Sequence, residues 1–228
     1  MAEIKTDIES AKSLAFAHRK ATASADVSYE QSQQAYNVWA GLYEQTMSSL
    51  GRTAHVRTAE CAANSFPRES RDGVRILDVG AGTGMVGKEL KQLEFSHVDA
   101  LEPNEVMLDK ARKRGIYENY YVEYLTEEPS SIPEDSYDAV TGSGIFAESA
   151  HVPFGALDEM IRVVKSGGYI ILSARSAFVG GTEEGKKLET VMEKLEKNKK
   201  WKKVTEDRLS DYTKNIKESG IIWKFQVM

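Results

Sequence analysis

Only one cysteine, Cys61, occurs in the 228 residues, so no disulfide can form within the chain. The start, Met1-Ala-Glu-Ile-Lys-Thr-Asp7, lacks the charge pattern of a secretory or transit segment. Both features point to a reducing, cytoplasmic setting. Long apolar runs are missing too. None approaches the roughly 18 residues that cross a bilayer, so no membrane association is expected. There is no excess of basic charge: 30 Lys and Arg face 35 Asp and Glu, for a net charge of −5. A nucleic-acid partner is not expected, because phosphate neutralisation supplies most of such affinity. The one local exception, Lys197-Asn-Lys-Lys-Trp-Lys-Lys203, reads as the solvated end of a lysine-rich helix rather than a docking patch. The four histidines and Cys61 show no metal-ligand spacing, and no metal is expected.

What is present is an α/β pattern of one-domain length with a helical preface. Residues 1–27 are rich in Ala, Ser and charge and read as a mobile end or a loose helix. Residues 28–73 read as a helical cap. Tyr36, Trp39, Tyr43 and Met47 recur at three- and four-residue spacing, and Gly41 divides the segment into two helices. The polar cluster Pro67–Gly73 marks a boundary. From 74 to 228 short apolar runs alternate with helical stretches. Strands are expected at Arg75–Val79, Val98–Glu102, Tyr120–Tyr124, Tyr137–Thr141 and Tyr169–Ser173. Helices are expected at Gly84–Leu93, Glu105–Arg114, Phe154–Val164 and Glu183–Lys197. This alternation predicts a doubly wound, mostly parallel sheet. Two last runs, near Val204–Tyr212 and Ile221–Val227, have only a short connection and should pair antiparallel.

The strand Arg75-Ile-Leu-Asp-Val79 runs straight into Gly80-Ala-Gly-Thr-Gly84 and then a helix. Glycines permit positive φ and close approach of the backbone to a ligand, and the helix N-terminus offers unpaired N–H groups. The spacing predicts a nucleotide-type site. Gly82-x-Gly84-x-x-Gly87 also matches the dinucleotide fingerprint, which alone is weak. Asp78, at the strand end, would repel a pyrophosphate but suits a cationic amino-acid moiety. Glu102 ends the next strand, where a carboxylate can accept hydrogen bonds from both ribose hydroxyls.

Four ordered motifs, within about residues 74–175, resemble class I S-adenosylmethionine-dependent methyltransferases. They are Ile76-Leu-Asp-Val-Gly-Ala-Gly-Thr-Gly84, Leu101-Glu-Pro-Asn-Glu-Val-Met-Leu108, Ile132-Pro-Glu-Asp-Ser-Tyr-Asp-Ala-Val140 and Arg162-Val-Val-Lys-Ser-Gly-Gly-Tyr169. Tyr36-Asn-Val-Trp-Ala-Gly-Leu-Tyr-Glu44 and Gly142-Ser-Gly-Ile-Phe-Ala-Glu-Ser-Ala-His-Val-Pro153 further resemble the Williams–Beuren syndrome region methyltransferase-like proteins. The resemblance implies a Rossmann-like, seven-stranded sheet with an antiparallel C-terminal hairpin, and S-adenosyl-L-methionine as cofactor. It implies that Gly80, Gly82 and Gly84, with Ala81, line the methionine part. Asp78 holds the loop and helps position the ammonium group. Glu102 binds the ribose, Met107 packs on the adenine beside Pro103, and Ser143 lies near the reacting end. Tyr36 and Tyr43 close over the cofactor. Relatives carry a Gly-Asp-Ala run after the third strand; here the region reads Tyr124-Leu-Thr-Glu-Glu-Pro129, so Thr126 or Glu127 takes the adenine amino group.

A sulfonium leaves as a neutral thioether, so its departure needs no proton. A base is required only if the acceptor must lose one. His151 and Glu148, after the fourth strand, are the candidates. His18, His55 and His97 read as ordinary surface residues. The acceptor is expected to be a small molecule with an oxygen or nitrogen nucleophile. Two alternatives stay open: a cofactor-binding regulatory module or pseudoenzyme, and a nicotinamide oxidoreductase, which Asp78 and the lack of a recognisable second catalytic domain disfavour. Oligomeric state is not set by these features.

Overall fold

The computed structural model describes residues 7–22, 27–146 and 152–228. It opens with four helices: α1 (Ile8–Thr22), α2 (Tyr29–Trp39), α3 (Tyr43–Ser49) and α4 (Ala54–Ala63). Ser28 caps α2 in a reciprocal box with Gln31, which satisfies two orphan donors of the first turn. The expected division at Gly41 is found, between α2 and α3.

The alternating part follows as β1 (Arg75–Val79), α5 (Met85–Gln92), β2 (His97–Leu101), α6 (Glu105–Arg112), β3 (Tyr120–Tyr121) and β4 (Tyr137–Ser143). Then come α7 (Ala156–Val163), β5 (Val164–Arg175), α8 (Ser176–Val179), α9 (Glu183–Lys197), β6 (Trp201–Thr213) and β7 (Glu218–Val227). The seven strands lie in the order β3-β2-β1-β4-β5-β7-β6. The first five strands are parallel, and β7 runs antiparallel between β5 and β6. The Rossmann-like sheet and its antiparallel C-terminal hairpin are therefore present.

β1 is buried continuously from Ile76 to Val79 because helices cover both of its faces. On one face Leu157, Met160, Leu188 and Met192 of α7 and α9 pack on Leu77 and Val140. On the other, Ala59 and Ala62 of α4 with Val86, Leu90 and Leu108 of α5 and α6 pack on Ile76 and Val98. Of the four opening helices, α4 is built into the core, while α1, α2 and α3 stand over the carboxyl edge of the sheet. There Ala11, Trp39, Met47 and Leu50 form a separate small cluster.

The sheet winds in opposite directions on either side of β1, whose neighbours are β2 and β4. Such a reversal opens a crevice at the carboxyl ends of the strands. The turn between α3 and α4 is fastened beside it. Lys214 and Asn215 donate backbone N–H groups to Gly51 O and Leu50 O at 3.0 and 3.1 Å. Thr53 Oγ1 donates to Asp211 O at 2.6 Å. At the other end of the fold the lysine-rich helix stops at Lys197, and Trp201 begins β6 as a core residue stacked on Phe225 at 4.0 Å.

Candidate active site

Gly80 leaves β1 with φ +64, and Gly82 and Gly84 follow at +54 and +88. All three need the left-handed region that glycine alone enters without cost, but their surroundings differ. A Cβ on Gly80 would meet Ile145 at 2.6 Å. On Gly82 it would meet only Met107 Cε at 3.7 Å and Gly80 O at 3.9 Å, so the loop stands clear there. Gly84 faces inward, where a Cβ would strike Ile116 at 2.7 Å. Gly84, expected to line the ligand, packs against the Ile116–Tyr117 segment and borders none of the cavities described below.

Glu102 stands beyond the end of β2, buried beside this loop. Its Oε2 accepts from the Gly82 N–H at 2.9 Å and its Oε1 from the Asn104 N–H at 2.8 Å. Each oxygen keeps a further lone pair. Burial raises the Glu102 pKa to about 7 against the pull of these two donors. Asp78 differs. It is fully buried, with Tyr117 Oη donating to Oδ2 at 2.6 Å and Thr141 Oγ1 to Oδ1 at 2.9 Å. Burial raises its pKa to about 6. The carboxylate ties the end of β1 to Tyr117 and to Thr141 of β4. Both oxygens are engaged inside the core, and Asp78 borders none of the cavities described below.

Two cavities open along the loop, and a third shares Tyr43 and Ser143 with them. One, of about 100 Å³, is bounded by Gly80, Gly82, Glu102, Pro103, Met107, Tyr124 and Leu125, with Tyr36, Tyr43 and Ser143 at its inner end. A second, about 40 Å³, lies over Gly80–Thr83 and is walled by Arg52, His55, Tyr43 and Ser143. Ala81 belongs to it. The third, about 340 Å³, lies under α1 and α2 and again includes Tyr36, Tyr43, Arg52 and Ser143. Tyr43 and Ser143 border all three. Thr126 and Glu127 border none of them. Thr126 Oγ1 instead accepts from the Glu128 N–H at 3.1 Å, and Glu127 packs near Gly155. Tyr124 and Leu125, just before them, take the cavity wall. Glu148 and His151 lie outside the described residues.

Sequence reasoning missed three contributors. Arg52 Nη2 donates to Tyr212 Oη at 3.0 Å, and its guanidinium sits 4.7 Å from that ring's centre. Among the described residues no carboxylate pairs with it. His55, expected at the surface, is half-buried in the second cavity. Burial, with Arg52 and Lys88 nearby, lowers its pKa to about 4, so the imidazole is neutral at pH 7. His18, also expected at the surface, stacks 3.9 Å from Trp39 and 4.5 Å from Tyr36 between α1 and α2. Arg52 follows Gly51 in the loop after the aromatic stripe, the one local signal that marks it. Nothing local marks His55, since α4 looks like any alanine-rich helix.

A fold of this topology, with a glycine loop at the winding reversal and a carboxylate ending β2, defines the class. The chain is similar to the class I S-adenosylmethionine-dependent methyltransferases. Residues 77–172 match the family model described as a methyltransferase domain. The chain is 30% identical over 166 residues to Methyltransferase-like protein 27 of Homo sapiens, covering 73% of this chain and 66% of that protein. It is 37% identical over 102 residues to the demethylmenaquinone methyltransferase of Clavibacter sepedonicus, 44% of this chain and 40% of that one. The matched region thus spans less than two thirds of either relative. Among solved structures, the TehB-like S-adenosylmethionine-dependent methyltransferase of Corynebacterium glutamicum superposes with a TM-score of 0.61 at 16% identity, covering 86% of this chain and all (100%) of that one. The [4+2]-cyclase SpnF superposes with 0.64 at 14%, covering 91% and 98%. That a cyclase shares the fold shows that fold alone does not fix the reaction.

Proposed function

We propose that the protein transfers a methyl group from S-adenosylmethionine to an oxygen or nitrogen of a small molecule held in the 340 Å³ cavity. The observation that carries this reading is the meeting of the three cavities at Tyr43 and Ser143. The cavity at Glu102 suits an adenosine: Glu102 offers lone pairs to the ribose hydroxyls, and Met107, Leu125 and Tyr124 flank the base. The cavity at Arg52 suits an amino-acid end. Arg52 complements the carboxylate, and the neutral His55 accepts from the ammonium. When bound, the cofactor supplies a methyl group on a cationic sulfur. Burial raises the pKa values of Tyr36 and Tyr43 above that of free tyrosine, so both are neutral phenols. They exclude water at the junction and are no base at pH 7.

Isothermal titration is expected to show binding of S-adenosylmethionine and S-adenosylhomocysteine and no comparable binding of NAD. At about 100 times Kd, stability rises by about 2.7 kcal/mol. Tight NAD binding without binding of the sulfonium cofactor rejects this reading. Labelled cofactor incubated with a metabolite extract should yield methylated small molecules. Tight cofactor binding with no labelled product would favour the regulatory module instead.

The cap acts, in this reading, as a lid restricted to α1 and α2. The fastened turn at Leu50–Thr53 holds α3, so closure pivots near Gly41, where a Cβ would meet nothing within 4 Å. Asn104 Nδ2 donates to Gln33 Oε1 at 3.0 Å and to Asn37 Oδ1 at 2.9 Å. These bonds latch α2 to the start of α6, next to Glu102. Hydrogen exchange should show residues 29–42 gaining protection when cofactor binds, beyond any gain at Gly80–Gly84. High protection there in the free protein, unchanged by ligand, would make the segment part of the permanent structure.

A further inference from the structure

A chain of hydroxyl groups runs from the core to the point where the three cavities meet, and it bears on the methyl acceptor, an inference that rests on the transfer reading above. Thr58 of α4 and Ser173 of β5 are fully buried and border none of those cavities. Thr58 Oγ1 lies 2.8 Å from Ala54 O, one turn back in its own helix, and 3.1 Å from Ser173 Oγ. Ser173 is paired with Ser143 across β5 and β4, and their Oγ atoms are 3.2 Å apart. Ser143 is half-buried at the last position of β4 and borders all three cavities.

One arrangement of protons satisfies all three contacts. A hydroxyl has one proton to donate and two lone pairs that accept. Ala54 O can only accept, so the Thr58 proton is committed to it, as is common for threonine inside a helix. Ser173 must then donate to Thr58, and Ser143 must donate to Ser173. Were Ser173 to donate to Ser143 instead, two lone pairs would face each other in the core at Thr58. Ser143 therefore turns only lone pairs toward the cavities.

We propose that Ser143 aligns the acceptor's nucleophile, and that this nucleophile is an oxygen or nitrogen still carrying hydrogen. Its O–H or N–H donates to Ser143 Oγ, which leaves a lone pair of the same atom free to face the methyl group. That lone pair forms the bond to the methyl carbon as the carbon–sulfur bond breaks and its electron pair stays on sulfur. The nucleophile's proton then passes to water. The hydroxyl chain takes up no proton, because it ends on a peptide carbonyl. A tertiary amine or a thioether has no hydrogen to offer and is not aligned. Thr58 and Ser173 are positioning residues, which set the direction in which the Ser143 hydroxyl points.

The test uses the full chain saturated with S-adenosylhomocysteine and ligand-observed NMR at pH 8, where all the probes are neutral. Indole donates a hydrogen bond where benzofuran cannot, and isoquinoline accepts one where naphthalene cannot. Ser143→Ala should lower the preference for indole over benzofuran by about three- to tenfold, the range of one neutral hydrogen bond. Thr58→Val should raise the preference for isoquinoline over naphthalene by the same factor. Without an acceptor at Thr58, Ser173 turns its proton to Ser143, and the Ser143 proton is released to the cavity. Thr58→Ser keeps the chain and should match the unmodified protein. A merely structural role for Thr58 would weaken all probes alike. Should Thr58→Val not fold, Ser173→Ala frees the same proton and should give the same rise. An unchanged indole preference in Ser143→Ala, an unchanged isoquinoline preference when the chain is cut, or failure of the probes to bind overturns the proposal. Absence of S-adenosylhomocysteine binding by the unmodified protein would instead overturn the transfer reading, so the two failures are distinct.

Discussion

Replacing Glu102 by glutamine is expected to raise the dissociation constant for S-adenosylmethionine by about 10- to 100-fold while the protein stays folded. A hydrogen bond to a charged acceptor contributes about 1.5–3 kcal/mol, which is that range of affinity. The carboxylate oxygens accept from Gly82 and Asn104 and still have lone pairs toward the cavity. A carboxamide cannot repeat this, because its NH2 group must face one of the two backbone N–H donors. It either drops the loop or turns its nitrogen to the ligand. The loss in stability is offset by removal of a buried charge, so the unfolding free energy should change by no more than about 1 kcal/mol.

The pH dependence separates this account from a merely structural one. Burial holds the Glu102 pKa at about 7, above its ordinary value of 4.5. A carboxyl group shifted upward stabilises the fold when protonated, and that contribution is lost as pH rises through about 7. Cofactor binding runs the other way, since ribose hydroxyls need the ionised acceptor. Affinity of the unmodified protein should therefore fall as pH drops from 8 to 6, while that of Glu102→Gln stays flat. Titration calorimetry at three pH values checks this. Parallel profiles for the two proteins would remove Glu102 from the ribose.

What could be read in advance was what is local in the chain. β1 and α9 have the bounds that periodicity predicts, Arg75–Val79 and Glu183–Lys197, because each pattern ends on a turn or cap residue. The sequence pattern predicts five residues for β5, which has twelve, Val164–Arg175. Its extra length comes from pairing with β4 and β7 on either side, which no single-strand pattern contains. The pattern predicts five residues for β3, which has two; it is an edge strand with one neighbour. The site divides in the same way. Glu102, Met107 and the glycines follow from motif spacing. The burial of Asp78 beside Tyr117 and Thr141, 39 and 63 positions away, is not written in its strand-end position. Arg52 and His55 enter through the packing of α4 on the core and the fastening of the preceding turn to the hairpin, both long-range events.

Gly87 ties that long-range network to the loop, and Gly87→Ala should lower stability by about 2–4 kcal/mol. It is the last glycine of Gly82-x-Gly84-x-x-Gly87, one turn into α5 and buried. A Cβ there would fall 2.3 Å from Tyr117 Cε1 and 2.6 Å from its Oη, below any tolerated contact. Tyr117 has little room to withdraw, because it is 5% exposed and set edge-on against Tyr120 at 5.8 Å. If it yields, Asp78 Oδ2 loses the 2.6 Å bond and the carboxylate is left with Thr141 and the Gly87 backbone N–H. Overpacking costs about 1–3 kcal/mol, and an unsatisfied buried acceptor about 1–3 kcal/mol. The two overlap, since moving one ring relieves the first by incurring the second. Urea unfolding at pH 7 measures the sum. Gly73→Ala is the control: a Cβ there meets nothing within 4 Å, so it should be neutral within about 0.5 kcal/mol. A second measurement follows from the same geometry. With one partner gone, Asp78 should titrate above its present value of about 6, so the destabilisation should be larger at pH 8 than at pH 5. A loss of equal size at both pH values would mean that the ring moves without releasing the carboxylate, and that steric crowding alone sets the cost.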